Sequence, residues 1–207
     1  PRVYRQVAAG ANMGLIVTPK TNALPDSYED VLGPIEMIRQ VLVEPPMLID
    51  LPMNKRSGSF VRVDRNPLEG LSLDSEQWLC YPAQVGPLVI FTYFHNRFID
   101  LGCSLANLFE LADDEQIAKG PDAVFAYGVP KEQMERFGED RTVFYDDENH
   151  DLLVGAIPGE KHFGYFGYLK KMMLTLHNVA MMKRGRMPFH GAMVRIFLRN
   201  GSAATLL

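Results

Sequence analysis

The sequence contains little cysteine and no long hydrophobic run, and both shortages exclude classes of protein. Cys80 and Cys103 are its only cysteines, and they lie far apart without the spacing of a metal site. Such isolated thiols are typical of buried cysteines in a reducing cytoplasm. No apolar stretch is long enough to cross a bilayer. We therefore predict a cytoplasmic protein that has no membrane partner.

An excess of positive charge is also missing. The chain has 21 Lys and Arg against 25 Asp and Glu, a formal net charge of -4, and the basic residues are dispersed. Because a nucleic-acid backbone is bound by concentrated basic surfaces, the sequence predicts no nucleic-acid partner. Hydrophobic residues, in contrast, make up 47% of the 207 residues, which is sufficient for a substantial core.

The local patterns alternate between strands and helices. Apolar residues follow Pro34 at helical spacing, and proline suits the first turn of a helix, so we predict a helix over 35–42. The apolar stretch 85–94 fits a helix or a strand equally well. Strands are predicted at 3–8, 14–18, 47–51 and 60–64, a short helix after Pro130, and hairpins at 142–154 and 192–207. This pattern predicts an α/β fold, with a mixed β-sheet flanked by helices.

Two charged patterns are interpreted as structural. His95 ends an apolar segment, where a histidine is typical of a cap or a half-buried side chain and not of a ligand. Asp147, Glu148 and His150 lie in the turn of the 142–154 hairpin, and we interpret them as a charged loop and not as a metal site.

The segment from Tyr165 to His190 concentrates residues that suit chemistry. Glycines on both sides of Tyr165 predict a turn, and 168–182 lacks Gly and Pro, which predicts a helix with Lys170 and Lys171 in its first turn. Cations are disfavoured there by the partial positive charge of a helix N-terminus. We therefore expect an anion or a metal to compensate them.

Chain dimensions allow His190 to return to these lysines. A helix from Lys171 to residue 182 rises roughly 17 Å, whereas the eight residues that follow span about 26 Å when extended. The sequence therefore predicts that Tyr165, Lys171 and His190 line one concave surface.

These residues resemble a pattern of the ATP-dependent phosphoenolpyruvate carboxykinases, Gly-Thr-x-Tyr-Ala-Gly-Glu-x-Lys-Lys followed after a helix by Arg-Gly-x-x-x-x-His. The matching stretches here are Tyr165-Phe-Gly-Tyr-Leu-Lys-Lys171 and Arg184-Gly-Arg-Met-Pro-Phe-His190. Arg56-Ser57 also resembles the Gly-Arg-Ser-Pro stretch of that family. Tyr168 replaces the family's glutamate, which indicates a relative and not a standard member. The resemblance covers about 142–207.

The resemblance implies a reaction and a role for each matching residue. Oxaloacetate would lose carbon dioxide, and the resulting enolate would take the γ-phosphoryl group of ATP to give phosphoenolpyruvate and ADP. Lys171 and His190 would hold Mn²⁺ or Mg²⁺ and meet the nucleotide phosphate, Arg56, Tyr165 and Lys171 would bind the dicarboxylate, and Lys170 and Lys171 would be catalytic. The implied ligands are thus a small dicarboxylate, a nucleotide and a divalent metal.

The same resemblance implies the domain organisation. In the family, the glycine-rich phosphate loop follows the strand that ends here at Leu207. We therefore expect 1–207 to be the amino-terminal, substrate-binding domain of a longer carboxykinase-like chain, with 190–207 leading into a carboxy-terminal nucleotide-binding domain that is its partner. Two alternatives remain open: a P-loop kinase similar to phosphocarrier-protein kinase, which also places His-Gly-x-x-Val before its loop, and a noncatalytic binding domain.

Overall fold

The computed structural model describes residues 2–8, 11–19, 23–44, 58–138, 142–188, 191 and 193–206. The strands are β1 Arg2–Ala8, β2 Ala11–Thr18, β3 Glu36–Glu44, β4 Gly58–Val63, β5 Trp78–Val85, β6 Leu88–His95, β7 Glu110–Leu111, β8 Ala123–Val129, β9 Thr142–Asp147, β10 Leu152–Pro158, β11 Val194–Phe197 and β12 Ala203–Leu206. The α-helices are α1 Asp26–Leu32, α2 Ile99–Ser104, α3 Asp114–Ala118, α4 Lys131–Met134 and α5 Phe166–Lys183.

Ten of these strands form one mixed sheet. Nine follow the order β1-β2-β3-β5-β6-β8-β10-β9-β4, and the short β7 pairs with β5. At its centre β6, β8 and β10 are parallel neighbours, whereas β5 and β9 run antiparallel to β6 and β10 on either side. The predicted α/β fold with a mixed sheet flanked by helices is therefore confirmed.

Side chains of successive strand residues point to opposite faces of the sheet, and at the central strands β6, β8 and β10 both faces are buried. In β8, Phe125 and Tyr127 belong to a core that includes residues of α2 and α5. Val124 and Ala126 of the same strand belong to a second core that includes residues of α1 and α4. The parallel strands are accordingly mostly apolar, as expected for a sheet covered on both sides.

Helix α5 forms because 168–183 contains neither Gly nor Pro and places apolar residues on one face. Its buried residues include Leu169, Met172, Met173, Leu176 and Ala180. The helix was predicted over 168–182, and this prediction is confirmed, but its first residue is Phe166. Lys170 and Lys171 are consequently its fifth and sixth residues. The prediction that they lie in the first turn is wrong, and so is the argument that the helix terminus repels them.

The predicted helix over 35–42 is also wrong. The cap-type residues from Asp26 onward form the helix themselves, and 36–44 forms β3, which pairs with β2 and β5. Pairing in the sheet overrides a periodicity that β-branched residues satisfy in either conformation. The ambiguous stretch 85–94 is a strand as well, entered by a turn at which Gly86 has a φ of 59°.

Other local predictions stand. Strands β1, β2 and β4 overlap the predicted ones, α4 follows Pro130, and both predicted hairpins form. The predicted strand at 47–51 lies outside the described residues, as do Arg56 and His190. Within the described part of the chain, no helix has the length and apolar character needed to cross a membrane.

Candidate functional site

The candidate site lies at the carboxyl edge of the parallel strands β6, β8 and β10. Chain segments leave all three strands here, and in open α/β sheets this edge is where ligands bind. Strand β10 ends at Pro158, a 3₁₀ turn covers Lys161–Phe163, and Tyr165 then precedes α5. Tyr165 therefore lies at the carboxyl edge of the parallel strands, where ligands bind in open α/β sheets.

An aromatic cluster fixes the approach to Tyr165. The Tyr127 hydroxyl donates a hydrogen bond to the carbonyl of Phe163, whose ring packs edge-on against Tyr168 with 5.1 Å between centroids. Burial raises the pKa of Tyr127 well above the usual range of tyrosine, so this hydroxyl stays protonated and continues to donate. Tyr165 is held in turn by a hydrogen bond from its amide to the Phe163 carbonyl at 2.7 Å.

The predicted lysines lie further along α5. Lys170 and Lys171 are both half-buried. At the helical rise per residue, Lys170 lies about 7 Å along the helix axis from Tyr165. Among the described residues, neither lysine forms an ion pair with a carboxylate. Within the described part of the chain neither side-chain amine is committed to a carboxylate, so both can meet a ligand.

Arg97 joins this edge, although the sequence analysis did not select it. The residue follows β6, and its guanidinium donates to the carbonyl of Gly128 at 3.4 Å and stacks on Phe98 at 5.0 Å. A Cβ added to Gly159 would lie 1.7 Å from the guanidinium, so the glycine makes room for it. The feature of the sequence that could have identified Arg97 is its position, since Arg97 and Gly159 each follow a parallel strand.

Charged side chains from the neighbouring strand ends complete the edge. Lys131, after β8, forms an ion pair with Glu160 at 3.0 Å, and His162 approaches the same carboxylate at 3.7 Å. Arg97 forms no such pair among the described residues. Arg97 is thus available for an external anion, whereas Lys131 and His162 already face Glu160.

Of the predicted site residues, the structure describes Tyr165 directly before α5 and Lys170 and Lys171 on the helix, while Arg56 and His190 lie outside the described residues. Within the described part of the chain, no three His, Cys, Asp or Glu side chains form a group that could hold a metal ion. Of the two predicted metal ligands, the structure describes Lys171 and not His190.

Comparisons with protein-family models, with curated proteins and with solved structures find no match to this chain.

Proposed function

We propose that this chain is the substrate-binding part of a phosphoenolpyruvate carboxykinase-like enzyme, with a fold like the amino-terminal domain of that family. The observation that carries the proposal is the position of Tyr165 at the carboxyl edge of the parallel strands, directly before the helix that bears Lys170 and Lys171. A tyrosine followed by two adjacent lysines is the order that the resemblance to that family implies.

The residues of this edge suit a dicarboxylate. Arg97 offers a planar guanidinium, which binds carboxylates through two parallel hydrogen bonds, and Tyr165 offers a hydroxyl. Arg56 would add a second guanidinium. Lys170 would stabilise negative charge on a transferring phosphoryl group. Oxaloacetate and phosphoenolpyruvate are ligands of this chemical class.

Lys171 and His190 are the residues that would hold Mn²⁺ or Mg²⁺. Such an ion stabilises negative charge on enolate and phosphate oxygens when it is bound. Phosphoryl transfer also requires loop amides and a lysine that position the nucleotide, and we assign these to a separate nucleotide-binding domain. The 207-residue chain is accordingly expected to fold but not to transfer a phosphoryl group.

Calorimetric titration of the purified chain tests the metal and nucleotide sites. We expect weak Mn²⁺ binding that is lost in Lys171→Ala and in His190→Ala, and no detectable binding of ATP at physiological concentrations. Lys119→Ala is the matched control, because this exposed lysine follows α3 outside the candidate site. Tight ATP binding, or turnover of oxaloacetate, by the chain alone would contradict the assignment.

A second titration, with oxalate, tests the dicarboxylate site. Arg97→Ala and Tyr165→Phe are each expected to weaken oxalate binding several-fold, while Lys119→Ala leaves it unchanged. Equal oxalate binding by all four proteins would remove this edge from the proposal.

A further inference from the structure

A second set of chemical groups lies at the opposite edge of the sheet. Ser27 is the second residue of α1, and His150 lies in the turn before β10. The Ser27 Oγ is 3.2 Å from Nε2 of His150, and Nδ1 of His150 is 2.7 Å from Oδ2 of Asp147. A hydroxyl, an imidazole and a carboxylate in this order form the arrangement of an activated serine nucleophile.

The carboxylate decides which imidazole nitrogen carries the proton. Asp147 has a fully buried side chain, and an ionised carboxylate only accepts hydrogen bonds. The neutral imidazole therefore carries its proton on Nδ1 and presents the lone pair of Nε2 to the Ser27 hydroxyl. This is the tautomer that a general base requires.

Two neighbours hold the arrangement in place. The Tyr28 hydroxyl donates to the same Asp147 oxygen at 2.5 Å, and the Tyr28 ring packs edge-on against the imidazole with 5.6 Å between centroids. Burial, reinforced by the hydrogen bond to Asp147, raises the pKa of Tyr28, which keeps this hydroxyl a donor. The Asn66 side-chain amide donates to the Ser27 carbonyl and anchors the backbone of the serine.

Ser27 and His150 also line a cavity of about 270 Å³. This volume suits a short acyl group. Among the described residues that line it, Asp30, Asp64 and Glu69 carry carboxylates and Arg65 carries a guanidinium. The surplus of negative charge disfavours anionic ligands, whereas Arg65 is the group available to stabilise an oxyanion.

We propose that Ser27, His150 and Asp147 form an acyl-transfer site for small neutral or cationic carboxylic esters. The Ser27 oxygen bonds to the carbonyl carbon while its proton passes to Nε2 of His150. The ester C–O bond then breaks, and the proton leaves with the alcohol. Water attacks the acyl-serine with the help of the same imidazole and releases the carboxylic acid, so that ester and water become acid and alcohol. Asp147 is a positioning residue.

The test is covalent labelling with an uncharged aryl fluorophosphonate, followed by intact-mass measurement and peptide mapping. We expect one adduct, on Ser27, which is absent in Ser27→Ala and forms at least 100-fold more slowly in His150→Gln. Ser72→Ala is the control, since Ser72 is also exposed and its amide bonds to Gln133. Absence of an adduct on Ser27, or an unchanged labelling rate in His150→Gln, would overturn the proposal.

The pH dependence of labelling gives a second readout on the unsubstituted chain. A serine assisted by imidazole reaches a plateau once the imidazole is fully neutral, whereas an unassisted hydroxyl reacts in proportion to hydroxide at every pH. A rate that rises without a plateau would overturn the role of His150 even if His150→Gln fails to fold. The outcome is independent of the α5 site, because the two sites share no residue.

Discussion

At the scale of single residues, the most informative side chains are polar ones that are buried. Asp147 is fully buried, although the sequence pattern predicted a charged loop for its segment. Its Oδ2 accepts from Tyr28 and His150, whereas its Oδ1 has no partner within the described part of the chain. The placement of Asp147 in the hairpin loop is therefore wrong, because β9 extends through this residue and its side chain is buried.

Thr92 is another buried polar residue whose hydroxyl finds no partner among the described residues. Replacing it with Val removes an unsatisfied hydroxyl and preserves the shape. We expect Thr92→Val to raise the free energy of unfolding in urea by about 1 kcal/mol. Thr175→Val is the matched control, because the Thr175 hydroxyl donates to the Lys171 carbonyl at 2.9 Å, and it should give no gain. Destabilisation by Thr92→Val would show that the hydroxyl is hydrogen-bonded in solution.

The interpretation of His95 as a capping, half-buried residue is confirmed. Its Nδ1 accepts a hydrogen bond from the Arg97 amide at 3.1 Å, and its Nε2 faces Gln77 at 3.0 Å. Burial lowers the pKa of His95, and the Arg97 charge lowers it further. As the pH falls below the ordinary imidazole pKa of about 6.5, His95 binds a proton in the unfolded chain before it does so in the folded chain. This contribution to stability is therefore present above that pH and is lost as the pH falls through the folded pKa.

Replacing His95 with Asn, which also caps helices, removes this titration. Urea unfolding at pH 7.5 and 5.5 should show a smaller loss of stability for His95→Asn than for the unsubstituted chain. His162→Asn, at an exposed histidine, is the control and should retain the original loss. The same acid dependence in all three proteins would argue against a role for His95.

At the scale of elements, Gly167 at the start of α5 makes room for the ring of Tyr165. A Cβ added to Gly167 would come 2.2 Å from the Tyr165 ring, so the glycine allows the ring to fold over the first turn. Sequence analysis predicted a turn that contains both glycines around Tyr165. The structure instead places Gly167 inside the helix, where the close approach of Tyr165 explains a residue of low helix propensity.

A double substitution tests this coupling. Gly167→Ala alone gains helix propensity of up to about 1 kcal/mol but must displace Tyr165, so we expect a net loss of stability and weaker oxalate binding. In the Tyr165→Ala background, the same Gly167→Ala change should stabilise the chain. Urea unfolding of the four proteins measures the coupling, which we expect to exceed about 1 kcal/mol. Additive effects would mean that the ring does not contact Gly167 in solution.

At the scale of the whole molecule, one large sheet with two cores stands beside a separate hairpin. Strands β11 and β12 pair with each other and not with the large sheet, and their described side chains are exposed. A two-stranded hairpin is at best marginally stable in water. The hairpin and the sheet should consequently unfold independently.

Hydrogen exchange of the native chain distinguishes the two parts. We expect amides of β11 and β12 to exchange nearly as fast as those of an unfolded peptide, because local opening costs little there. Amides of β8 should be protected up to the global free energy of unfolding. The antiparallel pair β9 and β10 is the control for pairing geometry, since it lies within the sheet. Protection of the hairpin equal to that of β8 would show that both belong to one cooperative unit.

The sequence by itself determined the elements whose signals are local. Helix α5 follows from a run without Gly or Pro whose apolar residues recur at helical spacing. The Asn200-Gly201 hairpin follows from the backbone freedom of its turn residues. The α/β fold class follows from how such elements alternate along the chain.

Only the tertiary structure decided β3, the addition of Arg97 to the α5 site, and the arrangement of Ser27, His150 and Asp147. Residues 36–44 satisfy either periodicity, and pairing with β2 and β5 selects the strand. Arg97 meets Gly159 because β6, β8 and β10 end at one edge. Ser27 and His150 are 123 residues apart and meet because α1 packs next to the β9–β10 turn. Contacts at such separations depend on the packing of the whole sheet, and no local pattern encodes them.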